Sequence, residues 1–348
     1  MTLPTTMQAL VMTGSGYATE LPSSSQVESL DPYLRHDTIP TPQPAKGQVL
    51  IKVTMAPIHP SDAAFVAGAY GQPRVEGVPA GFEGIGEVVA SGGGVIAERL
   101  VGRRVSFVAG ISGSWAEYAV AEAKTCIPLR SGIRDEDGAA LMINPFSAWA
   151  MYDIVRHSGS KAFVLTAAAS QLCKLLTILA ARSGLRPISL IRRDEQIDPL
   201  TDLGATHVLN TEAPDFAESL KKVLKQERPG ILLDALSGPL PASVFQAMGR
   251  DSRWIIYGGL HLRPATVPAP GEFIFRGKRI EGFWLTSWLR SGSLVRTGRA
   301  AVTVQGLFAD GTWSTDVAAQ VPLAEAHDRV PGLLAGANEG KVMLIPIG

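Results

Sequence analysis

Residues 162–182, AFVLTAAASQLCKLLTILAAR, contain the pattern that decides the fold. The apolar run 162–166 is typical of a short buried strand, and 171–182 has the spacing of a helix that ends before Gly184. Only small residues lie between them, so the chain can turn tightly. A strand that leads through such a turn into a helix predicts the first unit of a β-α-β fold.

Strands and helices continue to alternate after this unit. The predicted strands are 188–191, 205–209, 231–236 and 254–258, the predicted helices are 216–226 and 242–248, and a strand-like segment, 273–285, follows. Repeated β-α-β units call for right-handed crossovers and a parallel sheet, and strands covered on both faces are apolar throughout. This half of the chain therefore predicts an α/β domain with the doubly wound parallel sheet that binds dinucleotides.

The first third of the chain predicts β structure instead. Its predicted strands are 47–55, 84–90, 103–108 and 115–120, and the polar, turn-rich segment 15–36 is interpreted as a long surface loop. Helical spacing over 135–157 is broken at Asn144-Pro145, which predicts two helices. The tail, 302–347, predicts one helix and a final strand at 341–345, a composition that suits completion of the first domain.

Composition limits the possible classes of protein. A length of 348 residues predicts two domains, and 46% apolar against 18% charged residues excludes wholesale disorder. The net charge is zero, so no bulk attraction to nucleic acid or to an anionic membrane is expected. Residues 1–16 lack the pattern of a signal peptide, and the longest apolar stretch, 162–181, fits a strand and helix better than a membrane span.

Cysteine and histidine usage argues against metal and disulfide chemistry. Two cysteines, Cys126 and Cys173, exclude a disulfide scaffold and a four-cysteine zinc site, and favour a reducing, cytoplasmic compartment. The six histidines form no pair with metal-ligand spacing, and His59 beside a proline turn is interpreted as structural. Cys173 as a nucleophile is disfavoured because the helix that carries it is expected to be buried.

Two segments point to a nucleotide. The turn 166–173, TAAASQLC, lacks the G-x-G-x-x-G pattern, yet the helix amides at Gln171 and Leu172 can face a phosphate. Arg192 and Arg193 follow the second strand, where arginine accommodates a 2′-phosphate, so NADP(H) is favoured over NAD(H). An ordinary strand-helix turn and two solvated arginines are the alternative readings.

Several strings resemble the medium-chain dehydrogenase/reductase superfamily over nearly the whole chain. They are APIHPSD at 56–62, GFEGIG at 81–86 and Asn144-Pro145. YGGL at 257–260, PATVP at 264–268, GFWLTSW at 282–288 and GKV at 340–342 are similar to its zinc-free quinone oxidoreductase-like proteins, in particular to the NADPH-dependent 2-enoyl thioester reductases of the mitochondrial type.

The resemblance implies a fold, a cofactor and a reaction. A GroES-like β-rich catalytic domain would comprise 1–150 and 291–348, and a Rossmann NADP-binding domain would comprise 151–290. Zinc-dependent relatives have cysteine at the position of His59 and histidine at the position of Phe82, so zinc-free hydride transfer from NADPH to a quinone or 2-enoyl thioester is implied. A homodimer that pairs through the sheet edge near 273–285 is implied as well.

The resemblance also implies functional residues. Tyr70 resembles the proton donor of the reductases, although a lone loop tyrosine is more often a packing residue. The implied cofactor-binding residues are Asn144 near the nicotinamide ribose, Ala169, Ser170, Gln171 and Leu172 at the pyrophosphate, Arg192, Arg193 and Asp194 at the 2′-phosphate, Tyr257, Gly258, Gly259, Leu260, Phe283, Trp284, Leu285 and Thr286 at the nicotinamide, and Lys341 as a final contact.

Three positions depart from the family pattern. Gln171 and Cys173 replace glycines of the pyrophosphate turn, and His59 replaces the usual asparagine. Gln171 can donate a hydrogen bond to phosphate or obstruct the site. The alternative hypothesis is therefore a non-catalytic descendant that acts as a nucleotide sensor or structural protein.

Overall fold

The computed structural model describes residues 3–20, 29–110, 112–261, 264, 267–292, 294–335 and 340–346. The chain divides into two units, Met1–Ile143 with Ala301–Gly348 and Asn144–Ala300. The limits inferred for the two domains, 1–150 with 291–348 and 151–290, stay a prediction. No helix within the described ranges is both long and apolar enough to cross a membrane.

The first unit is built mainly from strands. In chain order its elements are β1 (Thr6–Met12), β2 (Leu34–Pro40), β3 (Gln48–Pro57), α1 (Pro60–Val66), β4 (Glu83–Ser91), α2 (Val95–Leu100), β5 (Arg104–Val108), β6 (Tyr118–Glu122), β7 (Ile127–Pro128) and α3 (Asp135–Ala139). The tail adds β14 (Val317–Pro322), α12 (Ala326–Ala335) and β15 (Lys341–Ile345).

Seven of these strands form one sheet, which includes the end of the chain. Its order is β14-β15-β3-β4-β5-β7, and β6 pairs with β3. β15 is antiparallel to β3, with Met343 opposite Pro57. Buried side chains such as Ile51, Phe107 and Trp115 form the core of the unit. Because β3 is antiparallel to both β4 and β15, the end of β3 lies beside the starts of β4 and β15, which positions the buried cluster described below.

The second unit alternates strands and helices. In chain order its elements are α4 (Asn144–His157), β8 (Ala162–Leu165), α5 (Gln171–Arg182), β9 (Arg186–Ile191), α6 (Ile197–Asp202), β10 (His207–Asn210), α7 (Phe216–Glu227), β11 (Ile231–Asp234), α8 (Pro239–Ala247), β12 (Arg253–Ile256), α9 (Pro270–Ile274), β13 (Arg279–Gly282) and α10 (Leu285–Ser291). α11 (Leu294–Ala309) continues past the end of the unit.

The sheet of the second unit is parallel throughout. Its order is β10-β9-β8-β11-β12-β13, so the strand order reverses between β8 and β11. This arrangement confirms the predicted doubly wound α/β fold. In such sheets, ligands bind outside the carboxyl ends of the strands, at the point of reversal.

Most predicted elements lie where the pattern places them, and three segments differ. The segment 273–285 is a strand only at β13, because Pro270 begins a short helix and Gly277, with φ +65°, turns the chain before the strand. Within the predicted loop 15–36, residues 34–36 belong to β2, and residues 21–28 lie outside the described part. The tail, predicted to have one helix and a final strand, contains the second half of α11, then β14 and α12, besides that strand.

Candidate active site

The turn after β8 replaces glycine with alanine but keeps the backbone shape. Ala167 has φ +47°, in the left-handed region that favours glycine. The Ala168 amide donates to the Leu190 carbonyl at 3.2 Å and ties the turn to β9. Ser170 caps α5 by accepting a hydrogen bond from the Cys173 amide, which leads the chain into the helix at Gln171. The turn therefore presents the start of a three-turn helix at the carboxyl edge of the sheet.

Asp234 connects this turn to the neighbouring strands. Its carboxylate is fully buried and accepts hydrogen bonds from Thr166 Oγ1 at 2.8 Å and from Trp254 Nε1 at 3.0 Å. It also accepts from the amides of Leu236 and Ser237, at 2.9 and 3.2 Å. One side chain thus fixes the ends of β8, β11 and β12 at the point where the strand order reverses. Asp234 is not among the residues predicted from the sequence, although a carboxylate that ends an apolar strand is itself a signal of a buried, hydrogen-bonded group.

Residues 257–260 follow β12 and lie against the segment after β11. The Tyr257 amide donates to the Asp234 carbonyl at 2.9 Å, and the Leu260 amide donates to the Ala235 carbonyl at 3.0 Å. A Cβ on Gly258 would lie 2.8 Å from that same carbonyl oxygen, so only glycine fits there. Gly259 has no such restriction, because the nearest atom would be 4.0 Å away.

Tyr257 is half-buried and contacts the start of α5, and its role at the nicotinamide stays a prediction. Its hydroxyl lies 3.2 Å from Cys173 Sγ, and burial raises the pKa of both groups. Cys126 and Cys173 are both buried free thiols. Cys173 is consequently a packing residue behind the turn, and its raised pKa disfavours a nucleophilic thiolate.

Phe283, Trp284, Leu285 and Thr286 follow β13 at the same edge. The Phe283 amide donates to the Ile256 carbonyl at 2.8 Å, and Trp284 is the N-cap residue of α10 with an exposed ring. The structure thus brings 169–172, 257–260 and 283–286 to the carboxyl ends of β8, β12 and β13. We call this region, together with the ends of β9 and β11, the carboxyl edge.

Arg192, Arg193 and Asp194 follow β9 at the carboxyl edge. Both arginines are exposed, and Asp194 accepts a hydrogen bond from Asn210 Nδ2 at 2.7 Å. Asn144 is the first residue of α4 and is half-buried. The cofactor role of each of these residues stays a prediction.

The first unit contains a buried cluster of charged side chains, formed by His59, Asp62, Glu83 and Lys341. His59 Nε2 lies 2.6 Å from Glu83 Oε1, and His59 Nδ1 lies 2.7 Å from Lys341 Nζ. Asp62 accepts from the His59 amide at 2.8 Å. His59 is therefore more than the isolated structural histidine that its sequence context indicated, and Lys341 is enclosed by this cluster.

Burial perturbs every member of this buried cluster. It raises the pKa of Glu83 to about 8 and that of Asp62 to about 6, because the charged forms lose hydration. It lowers the pKa of Lys341 to about 8, and burial with the Lys341 charge lowers the pKa of His59 to about 3. His59 is accordingly neutral at physiological pH.

A neutral His59 allows two arrangements of protons between its neighbours. In one, Lys341 donates to Nδ1 and the Nε2–H donates to an ionised Glu83. In the other, Glu83 donates to Nε2 and the Nδ1–H donates to a neutral Lys341. Because burial disfavours the charged forms of both Glu83 and Lys341, the buried cluster can hold a proton at either end.

Tyr70 stands beside this buried cluster within a group of aromatic rings. Its ring centroid lies 5.2 Å from Phe82 and 6.5 Å from Phe65. The Phe82 amide donates to Asp62 Oδ1 at 3.0 Å, which connects the aromatic group to the buried cluster. Tyr70 is half-buried, and its role as a proton donor stays a prediction. Across the described residues, no group of three or more His, Cys, Asp or Glu side chains could hold a metal ion.

Comparison with known proteins assigns the first unit to a domain family and the chain to a group of relatives. Residues 45–131 match the alcohol dehydrogenase GroES-like domain family. The chain is 30% identical to the mitochondrial enoyl-[acyl-carrier-protein] reductase of Arabidopsis thaliana, over 81% of this chain and 76% of that protein. It is 28% identical to the Bos taurus protein of the same name, over 80% and 76%.

Solved structures extend the likeness to the whole chain. A protein from Mesorhizobium loti, provisionally named an NADPH:quinone reductase, has 53% identity and a TM-score of 0.95, covering 99% of this chain and all of that one. A similarly named protein from Bacillus thuringiensis has 20% identity and a TM-score of 0.85, covering 98% and 99%, and supports the fold alone.

A GroES-like unit combined with a parallel dinucleotide-binding sheet defines a two-unit oxidoreductase. The chain belongs to the medium-chain dehydrogenase/reductase superfamily, within its quinone oxidoreductase-like branch. This confirms the resemblance drawn from the sequence strings.

Proposed function

We propose that this chain is a zinc-independent, NADPH-dependent oxidoreductase that reduces a conjugated carbonyl compound, either a quinone or a 2-enoyl thioester. The observation that carries the proposal is the carboxyl edge, where the ends of five neighbouring parallel strands bring the predicted cofactor segments together. The names of the relatives, enoyl reductases and NADPH:quinone reductases, support the same reaction class.

The residues at the carboxyl edge fit NADPH. The start of α5 provides backbone amides and a positive dipole end for a pyrophosphate. Exposed Arg192 and Arg193 provide guanidinium groups for a 2′-phosphate, with Asp194 held in place by Asn210. Asp234 keeps the strand ends in register without using its carboxylate on a ligand.

When bound, NADPH supplies a hydride for the electrophilic carbon, and the chain must supply or direct the accompanying proton. We infer that Tyr70 has this role, and the contacts of its ring with Phe65 and Phe82 support a fixed orientation of the side chain. Reduction of an enoyl thioester needs a proton at the α-carbon, whereas a reduced quinone takes up protons on oxygen with less demand on acid placement. Phe82 has no ligand atom where zinc-dependent relatives have histidine, which supports zinc independence.

NADPH oxidation with a crotonyl thioester and with a panel of quinones tests the reaction. Tyr70→Phe should lower enoyl reduction by about 100-fold or more, because a positioned general acid contributes at least that much, and should leave quinone reduction within a few-fold. Tyr17→Phe, at an exposed tyrosine, is the matched control. Absence of turnover with every substrate would refute the proposed reaction.

Cofactor choice is tested separately by calorimetry. Replacing both Arg192 and Arg193 with Gln should weaken NADPH binding at least about tenfold and spare NADH, because only NADPH has the 2′-phosphate. Equal losses for both nucleotides would contradict the 2′-phosphate role.

A second candidate function is nucleotide sensing without catalysis. It is favoured by Gln171, whose side chain stands in the first turn of α5 where relatives have glycine. Micromolar NADPH binding without turnover of any substrate would support this candidate, and turnover would exclude it. Gln171→Gly should then tighten NADPH binding if the side chain obstructs the site.

We also infer a homodimer and a cytoplasmic location. β13 is the last strand of its sheet, and exposed Ile274 and Phe275 lie just before it. An edge strand beside exposed apolar side chains suits pairing with a second copy. Phe275→Asp should convert a dimer to a monomer in light scattering, whereas Val95→Asp, at an exposed residue of the other unit, should not.

The two free cysteines suit a reducing compartment, and cell fractionation tests the location.

A further inference from the structure

The second unit contains a cavity that the proposed reaction does not use. Its volume is about 360 Å³, and we call it the arginine cavity. It lies between the end of α4 and the start of α11, and its lining residues are Trp149, Asp153, Arg156, His157, Val295, Arg296 and Arg299.

Positive charge dominates the arginine cavity. Arg156 and Arg299 are exposed, and neither forms an ion pair with a carboxylate of the described residues. The single lining carboxylate, Asp153, is directed to His157, with 3.2 Å between Oδ1 and Nδ1. Three guanidinium groups around one cavity repel one another, so an anion that enters it relieves this repulsion.

Arg296 is fixed before any ligand arrives. Its Nη2 donates to the Trp288 carbonyl at 2.7 Å, and its guanidinium carbon lies 4.3 Å from the centre of the Trp288 ring. A Cβ on Gly292 would lie 2.6 Å from that Nη2, so the glycine makes room for the guanidinium. A guanidinium held in place loses little conformational entropy on binding.

The arginine cavity is separate from the carboxyl edge. Arg156 lies twelve residues after Asn144 on α4, which corresponds to about 18 Å along the helix. Tyr152, one turn before Arg156, has its hydroxyl 2.7 Å from Ser183 Oγ, at the end of α5 opposite to the pyrophosphate turn. A ligand of this cavity therefore would not compete with the phosphates of NADPH.

One guanidinium group can donate two parallel hydrogen bonds to the oxygens of a phosphate. Several guanidinium groups around one cavity therefore suit a diphosphate better than a single phosphate. Trp149 and Val295 add an aromatic and an apolar wall beside these charges. We propose that the arginine cavity is a second anion site that binds a small molecule with two or more linked phosphate groups. The site is independent of the cofactor and of the proposed reaction.

Calorimetric titration with inorganic pyrophosphate tests the proposal, on protein saturated with NADPH and at constant ionic strength. Arg156→Gln and Arg299→Gln should each weaken pyrophosphate binding at least about tenfold, since each removes a charge-assisted contact. Arg299→Lys keeps the charge but loses the paired geometry and should give a smaller loss. Arg103→Gln, at an exposed arginine of the other unit, should leave binding unchanged.

Several results would overturn the proposal. One is the absence of pyrophosphate binding at millimolar concentration. Another is an unchanged affinity for pyrophosphate in a variant with both Arg156→Gln and Arg299→Gln. A third is equal affinity for orthophosphate and pyrophosphate. NADPH affinity should be unaffected by Arg299→Gln. If NADPH itself does not bind, the same titrations on the protein alone still test the cavity, so failure of the proposed function and failure of this site are distinguishable.

Discussion

Lys341→Met removes the only cation of the buried cluster of His59, Asp62, Glu83 and Lys341. Methionine retains most of the side-chain volume, so the main change is electrostatic. The Lys341 ammonium lies 2.7 Å from His59 Nδ1 and favours the ionised forms of Glu83 and Asp62. Its loss leaves two buried carboxyl groups without a compensating charge, and their pKa values should rise further.

The loss of stability should depend on pH. When the pKa of a carboxyl group is higher in the folded than in the unfolded state, the group stabilises the folded protein fully at pH values below its unfolded-state pKa. This stabilisation is lost as the pH rises through the folded-state pKa. For Glu83 the interval runs from its ordinary pKa of 4.5 to about 8 in the native protein. We expect the deficit in the free energy of unfolding to be below about 1 kcal/mol near about pH 5, where both carboxyl groups are protonated. It should reach about 3 kcal/mol near about pH 7.5, where Lys341 of the unsubstituted protein is still mostly charged.

Thermal and urea unfolding at the two pH values measure this deficit. A change of about 3 kcal/mol corresponds to a fall in Tm of about 6–12 °C for a unit of this size. Lys46→Met removes an exposed lysine and should change Tm by less than about 2 °C. An equal deficit at both pH values, or equal effects of the two variants, would refute the electrostatic role of Lys341.

Three further predictions concern the carboxyl edge. Asp234→Asn should lower the free energy of unfolding, measured in urea, by about 1–3 kcal/mol and raise the KM for NADPH, because four donors share the carboxylate. An unchanged KM would contradict the positioning role of Asp234. Ala167→Gly should raise stability by up to about 1 kcal/mol, since φ is +47°, and a lower Tm would count against strain there. Gly258→Ala should weaken NADPH binding in calorimetry, whereas Gly259→Ala should be tolerated; similar effects would contradict the close approach to Ala235.

The sequence predicts much of the second unit because its signals are local. Helix α5 has the predicted bounds, Gln171–Arg182, and the final strand β15 has the predicted bounds, Lys341–Ile345. Runs of apolar residues and the residues that end helices act over a few positions, so they predict secondary structure without knowledge of the tertiary contacts. The segment 273–285 shows the limit: its apolar and aromatic residues indicate a strand, but Pro270 and Gly277 divide it.

The segments predicted to bind the cofactor were identified by resemblance to a family rather than by a glycine motif, because the turn after β8 contains no glycine. What the backbone shows is that Ala167 adopts the glycine-like conformation anyway. Asp234 was missed because its importance depends on donors from three strands, and no local pattern predicts which strands become neighbours.

The sequence by itself determined the α/β class, the family and the order of the elements, since these follow from local periodicity and from recognisable strings. Only the tertiary structure decided the environment of His59, which meets Glu83 and, 282 positions along the chain, Lys341. It likewise brought Arg156 and Arg299 to one cavity. The physical reason is that burial, pKa and charge repulsion depend on distance in space, whereas a sequence pattern records only distance along the chain.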